Sequence, residues 1–351
     1  MNTFGHILRL TTFGESHGKA VGGIIDGFPS GFKIDFETLA EALEERRPGT
    51  SKTVSQRCEE DMPEFLSGIS DEGLTLGTPI GFIIRNKDVR SKDYSELEEK
   101  YRPNHADYTY DVKYGVRDWR GGGRASARET VNWVVAGALA QQWLKTKDIF
   151  ISSKLTSAGT VSFTEEIKDN LIRNPFQSSI KISKEEEKRM MEEIDNARLA
   201  GDSIGGIVTC LITGLEAGIG SPVFDKLQSR LAGAMLSINA AKGFEYGAGM
   251  TAATKRGSEV IDSFLTDSNG KVATTTNNSG GCQGGISNGM PIFFNVAFKP
   301  TPTIFKEVPT IDCNHKPVKL QMKGRHDPCV ALRAVPVVKA MTALVVADFL
   351  L

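Results

Sequence analysis

Apolar positions recur along this chain with two periods, and they divide it into helices and strands before any chemistry is considered. Phe36, Leu39, Ala40 and Leu43 fall at i, i+3, i+4 and i+7, which predicts a helix over 36–46 with Asp35 as its N-cap. Val131, Val134, Val135, Ala138, Leu139, Gln142 and Trp143 trace a wide stripe, predicting a helix over 126–146. Ser183 and Glu186 have capping-box spacing and open a helix that runs to Leu199. An amphipathic helix is predicted over 224–236, and an apolar one over 337–351 closes the chain. Strand character appears at 7–12, 20–26, 64–69, 80–85, 150–155 and 292–298, and 201–213 reads as a turn and strand. The segment 165–174 reads as a charged surface region. Residues 201–213 weakly echo 14–25, which raises an internal duplication. Strands mixed with segregated helices indicate an α+β fold.

One stretch breaks the pattern. Residues 101–130 hold a histidine, five arginines (Arg102, Arg117, Arg120, Arg124 and Arg128) and a triple glycine at 121–123. Almost nothing in it reads as packed core. The glycines are expected just ahead of the 126–146 helix, where convergent backbone N–H groups favour anions. Their spacing matches neither the dinucleotide fingerprint nor the P-loop. Polar motifs recur from residue 14 to residue 333 without a Pro- or Ser-rich linker, so 1–351 is expected to form a single domain around one composite site.

Composition changes the picture in two ways. A formal net charge of −1 removes the global basic field of a nonspecific nucleic-acid binder, so the local arginine cluster points to a particular anionic ligand. The five cysteines are scattered without a Cys-x-x-Cys pair, which argues against a zinc site or a disulfide framework and for a reducing compartment. The first residues lack the apolar core of a signal peptide, and a cytoplasmic location is expected.

Candidate chemistry centres on histidine. Three of the five histidines, His17, His105 and His326, sit in Gly-, Arg- or Asp-containing loops, where a group titrating near neutrality suits proton transfer. A histidine against a substrate phosphate would be protonated and able to donate to a leaving group. His17 lies in a Gly-flanked turn, but such turns also hold residues without a task. Arg46, Arg47 and Lys52 complement a helix C-terminus and could equally reach a phosphate or carboxylate. Metal-ligand spacing and a Gly-x-Ser-x-Gly elbow are both missing. A nucleotide- or flavin-dependent oxidoreductase and an Arg/Gly RNA-binding module are the alternatives in other classes.

The motifs are more specific than these arguments. Gly-Glu-Ser-His-Gly at 14–18, Arg-Arg-Pro-Gly-Thr-Ser at 46–51, His-Ala-Asp-Tyr-Thr-Tyr at 105–110, Arg-Gly-Gly-Gly-Arg at 120–124, Ser-Ala-Arg-Glu-Thr at 126–130, Ser-Ile-Asn-Ala at 237–240 and Gly-Arg-His-Asp-Pro-Cys at 324–329 occur in one order. Together with Lys113-Tyr-Gly and Arg117-Asp, the set resembles chorismate synthase from near the first residue to the last helix.

The resemblance implies a shikimate-pathway lyase that converts 5-enolpyruvylshikimate 3-phosphate to chorismate and phosphate by 1,4-anti elimination. It implies reduced FMN without net redox change, a β-α-β sandwich with helices between antiparallel sheets, and a homotetramer. Carried over by position, His17 is the acid toward the departing phosphate and His105 the proton donor that maintains the reduced flavin. Asp327 takes the proton from flavin N5. Arg46, Lys52, Arg102, Arg124 and Arg325 hold the phosphate and carboxylates. Flavin contacts come from Arg124, Ala125, Ser126, Asn239, Ala240, Gly284, Lys299, Pro300, Thr301, Pro302, Thr303 and Arg325. Arg117, Arg120 and Arg128 are expected to be structural ties. Lys52 stands where many relatives have arginine, and Ala125 where many have serine. Lysine keeps the charge and loses the bidentate fork. The sequence leaves open whether the chain reduces flavin with NADPH; a separate reductase is the expectation.

Overall fold

The computed structural model describes residues 1–47, 61–86, 97–266, 270–322 and 327–351. One five-stranded antiparallel sheet comprises β1 (Thr3–Phe4), β2 (Arg9–Gly14), β3 (Ala20–Asp26), β4 (Glu64–Phe65) and β5 (Ile80–Arg85), in the order β1-β2-β3-β5-β4. A second holds β6 (Phe150–Ala158), β7 (Val161–Ser162), β8 (Gly206–Thr213) and β9 (Ala241–Tyr246). Two short hairpins follow, β10 (Phe264–Thr266) with β11 (Val272–Thr274) and β12 (Cys282–Gln283) with β13 (Ile286–Ser287). β14 (Ile292–Phe298) completes the second sheet, in the order β7-β6-β8-β14-β9, and β15 (Glu307–Ile311) pairs with β16 (Pro317–Gln321).

The helices are α1 (Phe36–Arg46), α2 (Asp107–Tyr114), α3 (Thr130–Lys145), α4 (Thr164–Arg173), α5 (Lys184–Leu199), α6 (Leu227–Leu236) and α7 (Val330–Leu350). α3 packs on α7, α1 and the first sheet, while α7 packs on β6 and β8 of the second. The result is an α+β sandwich with helices between antiparallel sheets. Its main hydrophobic cluster joins Val21 and Phe82 of one sheet to Leu139 and Val345 of the helices and Phe294 of the other.

Gly137 shows why α3 and α7 approach so closely. A Cβ there would lie 2.5 Å from the Ala340 Cα, so only glycine admits this crossing. α7 is apolar and long enough to cross a membrane by composition, yet its residues from Val337 to Ala347 are nearly all buried in this core. Near its end the Asp348 carboxylate accepts from the backbone N–H groups of His6 (2.9 Å), Ile7 (2.7 Å) and Leu8 (2.8 Å), and it pairs with Arg230. That clasp fixes the segment leading into β2, whose far end carries the 14–18 motif.

The two sheets have equivalent strand orders, with β2, β3, β4 and β5 corresponding to β6, β8, β9 and β14. α1 follows β3 as α6 follows β8, and the paired helices α3 and α7 follow the last main strand of each half. The weak echo between 14–25 and 201–213 falls on β3 and β8, at matching places in the two sheets.

Several boundaries differ from the sequence reading. The helix expected from 126 begins at Thr130, because two single 3₁₀ turns, Gly123–Ala125 and Ala127–Glu129, precede it. Ser126 between them is extended, and its hydroxyl accepts from the Arg128 N–H. The triple glycine is therefore not the N-terminus of α3. The supposed surface region at 165–174 is α4, with Ile167, Leu171 and Ile172 buried. The 101–130 stretch contains α2, and it buries Tyr101, Arg102, Asp107, Arg128 and Glu129. The closing helix starts at Val330 and runs through Pro336.

Candidate active site

A cavity of about 1720 Å³ opens where the two halves meet. From the first half it is lined by Gly14, Glu15, Arg102, His105, Tyr110, Gly121, Arg124 and Glu129; from the second by Asn239, Ala240, Lys299, Thr301, Pro302 and Met341. Each wall is built locally. β2 ends at Gly14 with φ +93°, and a Cβ there would overlap the backbone of Val21, so the chain can turn into the 15–18 loop only with glycine. At the end of β14 the chain passes Lys299, whose N–H bonds the Ala240 carbonyl 3.0 Å away. That bond joins the 237–240 and 299–303 motifs into one rim.

His17 is almost buried directly behind Gly121, with its Nδ1 3.2 Å from Ser16 Oγ. His105 lines the cavity, and its Nε2 lies 2.8 Å from the hydroxyl of buried Thr303. His105 thus lines the chamber itself, while His17 lies behind its wall, against Gly121.

The arginines are less available than the sequence suggested. Arg102 is buried and gives its Nε and Nη2 to the Asp107 carboxylate at 2.8 and 2.6 Å, with Nη2 also donating to the Gly121 carbonyl at 2.7 Å. Burial by itself would raise the Asp107 carboxyl, but the hydrogen bonds and charge of Arg102 outweigh it and hold it below the usual range. Arg124 donates to Glu129 (2.6 Å) and to the Thr12 hydroxyl (2.7 Å). Arg46 is only 1% exposed and binds Asp61, Thr130 Oγ1 and the Ala127 carbonyl. Arg128 shares Asp61 with it, Arg117 bridges Asp107 and Asp111, and Arg120 pairs with Asp118, so these three are ties.

Lys299 has a different setting. Its Nζ donates to the Asn104 carbonyl at 3.0 Å, and burial together with the neighbouring charge of Lys242 pulls its pKa down. A partly desolvated cation with no paired carboxylate among the described residues favours an incoming anion. Nearby, Asn239 Oδ1 and Thr301 Oγ1 are buried without a partner among the described residues, while Asn239 Nδ2 donates to the Ala125 carbonyl at 2.7 Å. Orphaned polar atoms on a cavity wall are costly unless a ligand completes them.

The other expected residues are placed as follows. Ser126 caps the turn beneath Arg124, and Pro300 packs near Gly205, a Cβ on which would lie 3.3 Å from the proline Cδ. Asp327 pairs with Arg333 at 2.6 Å. Gly284 sits in the β12–β13 hairpin with φ +62°, and no heavy atom lies within 4 Å of where its Cβ would be. Lys52 and Arg325 lie outside the described residues.

Sequence reasoning missed three polar groups on the wall. Burial raises the Glu15 carboxyl despite Arg124, raises Glu129 despite Thr12 and Arg124, and raises the Tyr110 phenol. Glu15 and Glu129 stood inside quoted motifs, but only their packing around Arg124 marks them as part of the chamber.

Comparison with known proteins agrees with this architecture. The family model described as chorismate synthase matches residues 8–351. The chorismate synthase of Christiangramia forsetii is 52% identical over all of this chain and 97% of its own length. That of Bacteroides fragilis is 50% identical over all of this chain and 98% of its own. A solved structure titled "Crystal Structure of Chorismate Synthase" superposes with a TM-score of 0.77 at 31% identity, covering 99% of this chain and 92% of that one. With its whole length matched in sequence and its sandwich matched in structure, the chain belongs to the chorismate synthase family of lyases.

Proposed function

We propose that this chain, acting as one domain, converts 5-enolpyruvylshikimate 3-phosphate to chorismate and phosphate by 1,4-anti elimination, with reduced FMN bound beside the substrate. The observation that carries the reading is the shared chamber. At about 1720 Å³ it exceeds the roughly 300–1,000 Å³ of a typical single-ligand pocket, so there is space for two small molecules.

The second-half wall fits a flavin mononucleotide. Asn239 Oδ1 and Thr301 Oγ1 are orphaned polar atoms suited to a heteroaromatic ring edge, and Lys299 beside Lys242 suits a phosphate. Ala240 and Pro302 lie on the same wall and Arg124 and Ala125 line the chamber from the first half; Ser126, Pro300, Thr303, Gly284 and Arg325 belong to the same proposed set. Held there in reduced form, FMN would supply an electron-rich ring and a proton-accepting group for the elimination.

The chain's own residues do the rest. His17 holds a proton on its imidazole for the departing phosphate. His105, steadied by Thr303, holds a proton toward the cofactor. Asp327 accepts a proton at its carboxylate, which its contact with Arg333 keeps in place. Arg124 binds an anionic group by exchanging partners with Glu129, and Arg102 and Lys52 add positive charge. Arg46 acts from behind, through Asp61 and Ala127.

We further propose a homotetramer working in the cytoplasm, with no membrane or nucleic-acid partner and with reductant supplied by a separate reductase instead of NADPH oxidation by this chain. Buried Cys210, Cys282 and Cys329 are unpaired thiols, as a reducing compartment permits. An anaerobic assay tests the reaction. Chorismate and phosphate should appear one to one while the reduced flavin is not consumed; flavin oxidised in step with product would mark an oxidoreductase.

A further inference from the structure

Gly121 stands between the cavity and His17, and the elimination as set out above gives it no task. Its φ is +76°, a left-handed value that side chains rarely adopt. A Cβ built on it would lie 2.5 Å from His17 Cε1, closer still to Nδ1, and 3.1 Å from Ser16 Oγ. The imidazole therefore rests on the bare Cα. It has little room to retreat, since His17 is only 9% exposed.

The glycine is also held from its other side. Its carbonyl accepts from Arg102 Nη2 at 2.7 Å, and Asp107 fixes that guanidinium through Nε at 2.8 Å and Nη2 at 2.6 Å. Asp107 additionally accepts from the Arg102 backbone N–H at 2.9 Å. Arg102 and Asp107 are both buried, so the chain of contacts from α2 to the histidine is short and largely enclosed.

We propose that Gly121 is a positioning residue for His17: its bare Cα is the face on which the imidazole rests, and the Arg102–Asp107 pair holds that face in place through the Gly121 carbonyl. This rests on the reading of His17 as the acid toward the departing phosphate. It gives Arg102 a second role, as the brace of the acid, beside any contact with substrate. A donor must sit within about 0.5 Å of its productive place, and a displaced ring loses turnover before it loses binding.

The test is a double-variant cycle of Gly121→Ala and His17→Ala, read as kcat, KM, FMN affinity and thermal midpoint. Gly121→Ala should lower kcat by roughly 10- to 1,000-fold, within the range for impaired acid catalysis, and leave KM and FMN affinity within about threefold. In the His17→Ala background the same change should alter kcat less than about twofold, because the ring it displaces is gone. It should also lower the thermal midpoint less there than in the wild-type background. Multiplying losses, or a Gly121→Ala enzyme with wild-type kcat, would overturn the proposal. If His17→Ala alone kept wild-type turnover, the acid reading would fail, and the thermal midpoints would still decide whether residue 121 packs through His17. Should Gly121→Ala not fold, Asp107→Asn serves: it loosens the brace, and its kcat loss should likewise vanish in the His17→Ala background. A persisting loss would refute the brace.

Discussion

Replacing Asp107 by alanine removes the anchor from which the first-half wall of the chamber is hung. Its carboxylate accepts from Arg102 Nε at 2.8 Å, Nη2 at 2.6 Å and the backbone N–H at 2.9 Å, and it lies 3.4 Å from Arg117 Nη1. The Arg102 and Asp107 side chains are only 6% and 7% exposed, so water from the cavity edge replaces the lost partner poorly. Breaking a buried pair from one side costs about 3–5 kcal/mol, because the remaining charge stays buried. Arg117 keeps Asp111 at 3.1 Å and Arg102 keeps the Gly121 carbonyl, which places the expected loss near the lower end, about 3 kcal/mol. Urea denaturation followed by circular dichroism measures it as a lower midpoint at unchanged slope. Adding Arg102→Met should recover much of the loss, since removing both charges removes the desolvation penalty. A loss below about 1 kcal/mol for Asp107→Ala, a value typical of exposed pairs, would refute the buried-anchor reasoning.

Other consequences follow from the same geometry. His17→Ala and His105→Ala should each reduce turnover roughly 10- to 10,000-fold with little change in melting temperature, and wild-type turnover in either would remove its assigned role. Arg46→Ala should behave as a stability variant, lowering the melting temperature sharply while the surviving folded enzyme keeps its KM for substrate; a selective rise in KM would return Arg46 to the ligand site. For Asp348, burial pushes the carboxyl up, but the His6, Ile7 and Leu8 N–H groups and Arg230 outweigh it and depress the pKa. The stability it contributes is present above the unfolded pKa of about 3.9 and is lost as pH falls through the folded value. Asp348→Asn should therefore weaken the fold at neutral pH and flatten the acid limb of a stability–pH curve, and an unchanged acid limb would contradict the clasp.

The elements legible in the sequence were those whose period and end signals agree. α1 begins and ends as its stripe and Asp35 cap indicate, and α5 carries the full capping box. β3 and β14 match their apolar runs residue for residue. The 101–130 stretch misled because its core is made of paired charges. Asp61 neutralises Arg46 and Arg128, and Asp107 neutralises Arg102, so residues that read as surface are interior. Pairing partners up to 67 residues apart leave no local pattern to read. The candidate site was marked in the sequence by motif order alone. Periodicity gave no sign that Lys299 and Asn239 would face His105, because that proximity arises where the two halves of the sandwich meet.

The most direct measurement is a structure of the protein with reduced FMN and a non-reacting analogue of the phosphorylated substrate. Both molecules should lie together in the one chamber, the flavin against Asn239, Thr301 and Lys299, and the substrate phosphate on the side of Gly121 and His17. Either molecule bound outside that chamber, or a substrate phosphate turned away from His17, would contradict it.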